Sequence, residues 1–328
     1  MSSHESGLGA SSSKFMLSPE LKIYIAGHRG LVGSAIWRNL VAKGHTKLLG
    51  WSSSELDLRD SQLTMEAISQ EKPDVIIMAA AKVGGIVANS THPVEFLNDN
   101  IRIQTNIFEA AHAAQVPQLL FLGSSCIYPK FAEQPIKESS LLTGQLEESN
   151  NAYAIAKIAG VLQVQSYRKQ YGHRWISAMP TNLYGPFDNF DLTSSHVLPA
   201  LIRKFHEAKV AGSPSVALWG TGTPLREFLH TDDLASACTF LLENYDGDAP
   251  INIGWGRDIP IAELAILIGQ ITGFEGIIEW DRTKPDGTPR KLLDTQMINS
   301  LGWEPSITLR DGIESTYRWY LANEQGQS

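Results

Sequence analysis

Two cysteines, Cys126 and Cys238, are all that 328 residues contain. They are too few and too far apart for a disulfide framework or a zinc site, and they fit a reducing, cytoplasmic setting with no bound metal. Long apolar runs are missing too. The longest candidate, 75–88, is broken by Lys82, Gly84 and Gly85, short of the roughly 18 uninterrupted residues that a membrane span needs. It reads as a buried strand and its loop. Basic charge is scarce: 27 Lys and Arg against 35 Asp and Glu leave a net charge of −8. That balance argues against a nucleic-acid or anionic-membrane partner, though not against an anionic small molecule in a local basic pocket. Residues 1–18 lack a signal-peptide core and are rich in Ser and Gly, which predicts a disordered tail. What remains is 43% hydrophobic and 19% charged, an ordinary globular composition with room for one large or two moderate domains.

The first ordered signal is a β-type run, 21–26, followed by Gly27-His28-Arg29-Gly30-Leu31-Val32-Gly33 and a helical pattern over 35–42. Strand, glycine turn and helix form the context of a dinucleotide-binding fingerprint. Gly27 permits the turn, Gly30 lets the backbone approach a pyrophosphate, and Gly33 allows the helix to pack closely. The second strand, 47–51, ends in Ser52-Ser53-Ser54 with no acid before Glu55, where an NAD enzyme places an Asp or Glu for the ribose 2′-hydroxyl. Arg29, with its fork of donors, suits a 2′-phosphate instead, so NADP(H) is the expected cofactor.

A strand over 74–78 then delivers the small-residue loop 79–85, and 98–115 reads as a long helix. The apolar strand 119–122 delivers Gly123-Ser124-Ser125-Cys126. Strand 176–179 leads into Pro180-Thr181-Asn182-Leu183. Alternating strands and helices predict an α/β fold, a doubly wound parallel (Rossmann) sheet. Order loosens past Gly185: 188–196 is polar and irregular, 197–209 is an amphipathic helix, and 216–222 is a strand and turn. Residues 226–233 lead into a helix, 251–254 return to the sheet, 284–291 form a basic turn-rich loop, and 309–323 form a last helix. The expected division is an NADP-binding domain over 19–185 with a return segment near 228–258. A smaller C-terminal α/β substrate domain takes 186–227 and 259–328.

Asn150-Asn-Ala-Tyr153-Ala-Ile-Ala-Lys157 places a phenol and an ammonium four residues apart on one helical face. A buried ammonium one turn away is expected to lower the phenol's pKa and make it a usable proton donor and acceptor. Alone, such a pair is common on solvated helices.

Taken together, several stretches resemble the GDP-L-fucose synthases of the extended short-chain dehydrogenase/reductase superfamily. They are Gly-His-Arg-Gly-Leu-Val-Gly (27–33), Ala-Ala-Ala-Lys-Val-Gly-Gly-Ile (79–86), Gly-Ser-Ser-Cys-Ile-Tyr-Pro-Lys (123–130) and Tyr-Ala-Ile-Ala-Lys (153–157). Met-Pro-Thr-Asn-Leu-Tyr-Gly-Pro (179–186), Ser-His-Val-Leu-Pro-Ala (195–200), Leu-Arg-Glu-Phe-Leu-His (225–230) and Lys-Pro-Asp-Gly-Thr-Pro-Arg-Lys (284–291) complete the set. The resemblance covers nearly everything after the tail. It implies NADPH-dependent conversion of GDP-4-keto-6-deoxy-D-mannose to GDP-L-fucose, by epimerisation at C3 and C5 and reduction at C4. It also implies a homodimer packed through the Tyr153 helix and its neighbour.

In the roles so implied, Tyr153 protonates the C4 oxygen, Lys157 holds the nicotinamide ribose, and Ser124 (or its neighbour Ser125) polarises the ketone. Cys126 and His196 move the C3 and C5 protons, with Cys126 preferred as base. Gly27–Gly33, Ser53, Leu122, Gly123, Ser124, Ser125, Lys157, Pro180, Thr181, Asn182, Leu183 and His196 are the implied cofactor contacts. Lys204, Trp219, Arg226 and Asp286 would meet the nucleotide sugar; Trp219 could equally be a core residue and Asp286 a turn former. The chain departs from some relatives at Ser53 (an arginine there), Asp191 (a histidine) and Lys204 (an arginine). Two other readings share the fold. An epimerase or dehydratase with a permanently bound cofactor would have no use for Cys126. A non-catalytic NADP sensor would not need Ser124, Tyr153 and Lys157 together.

Overall fold

The computed structural model describes residues 15–284 and 286–324. In chain order come β1 (Ile23–Ala26), α1 (Leu31–Ala42), β2 (Leu48–Leu49), α2 (Ser61–Glu71), β3 (Val75–Met78), α3 (Ile86–Thr91), α4 (Pro93–Ala113), β4 (Gln118–Leu122), α5 (Asn151–Tyr171) and β5 (Arg174–Pro180). Then follow β6 (Asn182–Tyr184), α6 (Val197–Val210), β7 (Ser215–Trp219), β8 (Leu225–His230), α7 (Thr231–Asn244) and β9 (Ile251–Ile253). Last are β10 (Asp258–Pro260), α8 (Ile261–Thr272), β11 (Ile277–Asp281), β12 (Arg290–Lys291), α9 (Gln296–Ser300) and α10 (Leu309–Glu324).

Strands β1, β3 and β4 are buried at every position, as strands covered by helices on both faces are. Six strands pair in parallel in the order β2-β1-β3-β4-β5-β9. Successive side chains alternate between the faces. Ile23, Ile25, Val75, Ile77 and Leu120 pack with Ile36 and Leu40 of α1 and with Leu234 and Leu241 of α7. Tyr24, Ile76, Leu119 and Phe121 pack on the other side with Phe108 of α4 and Val161 and Val164 of α5. The chain reverses direction across the sheet between β1 and β3, so their carboxyl ends flank the crevice where such sheets take ligands. A third core joins Leu198, Ile202 and Phe205 of α6, Leu218 of β7, Phe228 of β8, Leu264 and Ile268 of α8, and Ile313 of α10. Two small sheets serve it: β10-β8-β12 with β6 beside β8, and β7 paired with β11.

Several boundaries differ from the sequence reading. The long helix starts at Pro93 rather than residue 98, because proline fits a first turn that needs no amide. The second strand pairs only at Leu48–Leu49. The first part of 226–233, read as a lead-in to a helix, belongs instead to β8 (Leu225–His230), and His230 caps α7 by accepting from the Asp232 amide. The last part of the expected tail is docked: Phe15 packs on the first core, and the amide of buried Leu17 donates to Glu243 Oε1 at 2.9 Å. The rest of that tail, 1–14, lies outside the described residues. Among those described, no helix is long and apolar enough to cross a membrane.

Candidate active site

The glycine loop is tight because its backbone touches itself and its neighbour strand. Gly27 has φ +81°, and a Cβ there would lie 2.8 Å from the Ala80 amide nitrogen. A Cβ on Gly33 would collide with the Gly27 carbonyl oxygen. Gly30 caps α1 with no side-chain hydrogen bond and no acid in the first turn. The first-turn amides around Leu31, Val32 and Gly33 therefore lack intrahelical partners at the positive end of the helix dipole, an anion cradle that fits a pyrophosphate. His28 lies over Gly50 and 5.4 Å from the Trp37 ring. The Arg29 guanidinium is 70% exposed and stands 4.0 Å from Glu55. Glu55 is tied to Ser52 by bonds from its amide (2.7 Å) and hydroxyl (2.6 Å). The acid is thus occupied, Ser53 is exposed, and the free donors of Arg29 fit a 2′-phosphate.

The other expected cofactor residues sit at the carboxyl ends of β4 and β5. Gly123 leaves no room for a Cβ beside the Met179 side chain. Leu122 presents its carbonyl to Lys157, and Ser125 is buried. Pro180 ends β5, and buried Thr181 donates its amide to the Ile253 carbonyl at 3.0 Å. The Asn182 amide group donates to the Glu227 carbonyl at 2.8 Å, and Leu183 packs on the first core.

Tyr153 and Lys157 do share a face of α5. Lys157 is buried, and its Nζ donates to the Leu122 carbonyl at 2.8 Å and lies 5.9 Å from the Tyr153 ring centre. Burial pulls its pKa down to about 7. The phenol moves opposite to expectation. Burial raises Tyr153 above its ordinary range, charge on Cys126 adds to the rise, and a hydrogen bond with Ser124 opposes it. An ammonium turned onto a backbone carbonyl, and itself ready to lose its proton, does not offset the phenol's desolvation.

Ser124 caps the short 3-10 turn Ser125–Ile127, and its Oγ accepts from the Cys126 amide at 3.2 Å. It is therefore Ser124, not buried Ser125, that faces both Tyr153 and Cys126. The Cys126 Sγ accepts from Asn150 Nδ2 at 3.3 Å and from Lys291 Nζ at 3.5 Å. Burial alone would raise this thiol, but the Lys291 charge and bonds with Ser124, Lys291 and Asn150 prevail and lower it.

His196 is the residue before α6. Asp191, the departure noted above, builds the approach to it: one carboxylate oxygen accepts from the amides of Thr193 and Ser194, both at 3.0 Å. The Gly85 amide donates to the Ser194 carbonyl at 2.9 Å, which joins the 79–85 loop to this segment. His196 is exposed by surface area, yet desolvation by the protein atoms around its ring, then the Lys291 charge, lowers its pKa.

Lys291 thus stands inside the site, although sequence reasoning gave it no role beyond its place in the 284–291 motif. It arrives on β12, whose two residues pair with Leu225 and Arg226 of β8. Of the expected sugar contacts, Trp219 is 60% exposed, not a core residue, with Lys204 Nζ at 5.9 Å and Lys284 Nζ at 5.5 Å from its ring centre. Arg226 is half-buried and donates to the Leu225 carbonyl at 2.8 Å. Asp286 is engaged as a turn former: its carboxylate accepts from the Thr221 amide at 2.6 Å and the Thr221 hydroxyl at 2.8 Å. The same loop is held again where Thr288 donates to Glu147 at 3.1 Å.

Residues 23–254 match the model of the NAD dependent epimerase/dehydratase family. The chain is 58% identical to GDP-L-fucose synthase 1 of Arabidopsis thaliana, over 94% of this chain and 95% of that one. It is 50% identical to GDP-L-fucose synthase of Escherichia coli (strain K12), over 92% and 97%. Among solved structures it superposes on a GDP-L-fucose synthetase from Naegleria fowleri bound to NADP with a TM-score of 0.87 at 28% identity, covering 96% of this chain and 98% of the other.

Proposed function

The chain belongs to the NAD dependent epimerase/dehydratase family, and on that premise we infer its reaction and the residues that perform it. It converts GDP-4-keto-6-deoxy-D-mannose to GDP-L-fucose with NADP(H), first inverting C3 and C5 and then reducing the C4 ketone. One observation carries this reading beyond the family. A reductase set (Ser124, Tyr153, Lys157) and a thiol with a lowered pKa, Cys126, occupy one lip at the end of β4.

The C4 ketone makes the neighbouring ring protons acidic. Cys126 as thiolate removes a proton, the electron pair passes to the C4 oxygen, and His196 returns a proton on the other face. Ser124 and Tyr153 hold the C4 oxygen while it carries charge, as an oxyanion site does. When bound, NADPH supplies a hydride to C4. Tyr153 then gives its proton to that oxygen; its raised pKa keeps the phenol protonated until needed. Lys157 anchors the nicotinamide ribose. Lys204 and Arg226 meet the diphosphate, and Trp219 lies against the nucleotide.

The NADP domain comprises 19–185 and a return near 228–258, and the substrate domain the rest. Exposed Val94 on α4 and Ile155 and Leu162 on α5 favour a homodimer through those helices. A cytoplasmic location agrees with two unpaired cysteines.

The test follows NADPH absorbance on mixing protein with GDP-4-keto-6-deoxy-D-mannose, and solvent-deuterium uptake at C3 and C5. Cys126→Ser should lose deuterium uptake, and Tyr153→Phe should keep it while losing NADPH oxidation. No NADPH oxidation by the unaltered enzyme on intact substrate would sink the assignment.

A further inference from the structure

We propose that Lys291 is a positioning residue of the epimerisation step, its ammonium holding Cys126 as a thiolate. The proposal rests on the reading of Cys126 as base. Its geometry is direct: Lys291 Nζ lies 3.5 Å from the Cys126 sulfur. Around that sulfur stand the neutral groups of Ser124 and Asn150, the phenol of Tyr153 from α5, and Lys291 from β12. Among the described residues Lys291 is thus the cation at the thiol.

The ammonium is delivered from a fixed backbone. Before β12 the Pro289 carbonyl accepts from the Leu225 amide at 2.9 Å. Beyond it the Leu292 amide donates to Gln134 Oε1 at 2.9 Å and the Leu293 amide to buried Glu227 at 3.1 Å. Alternation along the strand turns Arg290 to Asp258 and Lys291 to the sulfur. The positive charge stabilises the anionic form of the proton acceptor. As the thiolate takes a ring proton its negative charge leaves for the C4 oxygen, and proton and charge counts are unchanged overall.

The test is the pH dependence of Cys126 alkylation by iodoacetamide, located by mass spectrometry, in wild type, Lys291→Met and Lys291→Arg. Cys238 is fully buried and serves as the silent internal control. Wild type should show a midpoint below the ordinary thiol value of about 8.5. Lys291→Arg should stay near wild type. Lys291→Met should move the midpoint upward and slow alkylation at pH 7 by about fivefold or more. A role confined to packing would lower thermal stability without moving this midpoint. Superimposable profiles for wild type and Lys291→Met overturn the proposal. Should Lys291→Met fail to fold, the wild-type thiolate absorbance, with Cys126→Ser as blank, decides: a midpoint at or above about 8.5 overturns it. Deuterium uptake separates the two readings. If Cys126→Ser still exchanges ring protons, Cys126 is not the base, whatever the alkylation shows. If it does not exchange and Lys291→Met alkylates like wild type, this inference alone falls.

Discussion

Replacing Lys157 by methionine should strengthen the cofactor-stripped protein while abolishing its reductase activity. Lys157 is 4% exposed, and its pKa falls from 10.5 to about 7 by burial. Below pH 7 folded and unfolded chains both hold the proton, and the folded one bears the full desolvation cost. Between about 7 and 10.5 the unfolded chain binds a proton that the folded chain has released, so stability rises with pH through that window. At 1.36 kcal/mol per pH unit the interval corresponds to a ceiling of about 5 kcal/mol. Relaxation around the charge brings a realistic figure to about 2–3 kcal/mol. Loss of the bond to the Leu122 carbonyl returns about 1 kcal/mol. Urea unfolding at a series of pH values should therefore find Lys157→Met more stable than wild type by about 1–2 kcal/mol at pH 6.5. That advantage should vanish or reverse toward pH 10. Two curves that run parallel over the whole range would refute the reasoning, because every other titrating group is common to both proteins.

Arg29→Ala should raise KM for NADPH by about 5–30-fold and leave KM for NADH nearly unchanged, the loss of one charged contact at a largely exposed guanidinium. An equal rise with both coenzymes would count against a 2′-phosphate contact. Gly33→Ala forces the loop away from the Gly27 carbonyl, at a cost of about 1–3 kcal/mol; thermal melting and NADPH titration should both register it, and a wild-type result in both is incompatible with the close approach described. Asp286→Ala releases the Thr221 turn and should raise KM for the GDP-sugar severalfold with NADPH affinity intact; unchanged steady-state kinetics would show that the latch is irrelevant to binding.

The fingerprint at 27–33 and the Tyr153–Lys157 pair were legible because each depends on local spacing, and the secondary structure around them follows local pattern. The difference between Ser124 and Ser125 was not, since both leave the same strand; the 3-10 turn buries Ser125 and turns the Ser124 hydroxyl to the Cys126 amide. Strand β8 escaped notice because Glu227 interrupts its apolar pattern. That carboxylate is buried, and it is held there by the amides of Gly256 and Leu293, partners with no local trace in the sequence. Burial lifts the Glu227 pKa to about 7 despite those bonds. Lys291 belongs to the same class: its contact with Cys126 spans 165 residues. The direction of the Tyr153 shift was missed because helical spacing fixes which face a side chain shares, not where its ammonium points.

That long span also sets an order of events on the ribosome. When β9 emerges, the six-stranded sheet has all its strands, and the glycine cradle, Ser124, Tyr153 and Lys157 are already in the synthesised chain. β12 follows about 40 residues later, a delay of roughly 2–8 s at ordinary elongation rates. During that interval the nascent chain already contains the glycine loop, Tyr153 and Lys157 but not yet Lys291, so the contact between Lys291 and Cys126 can form only after β12 has been made.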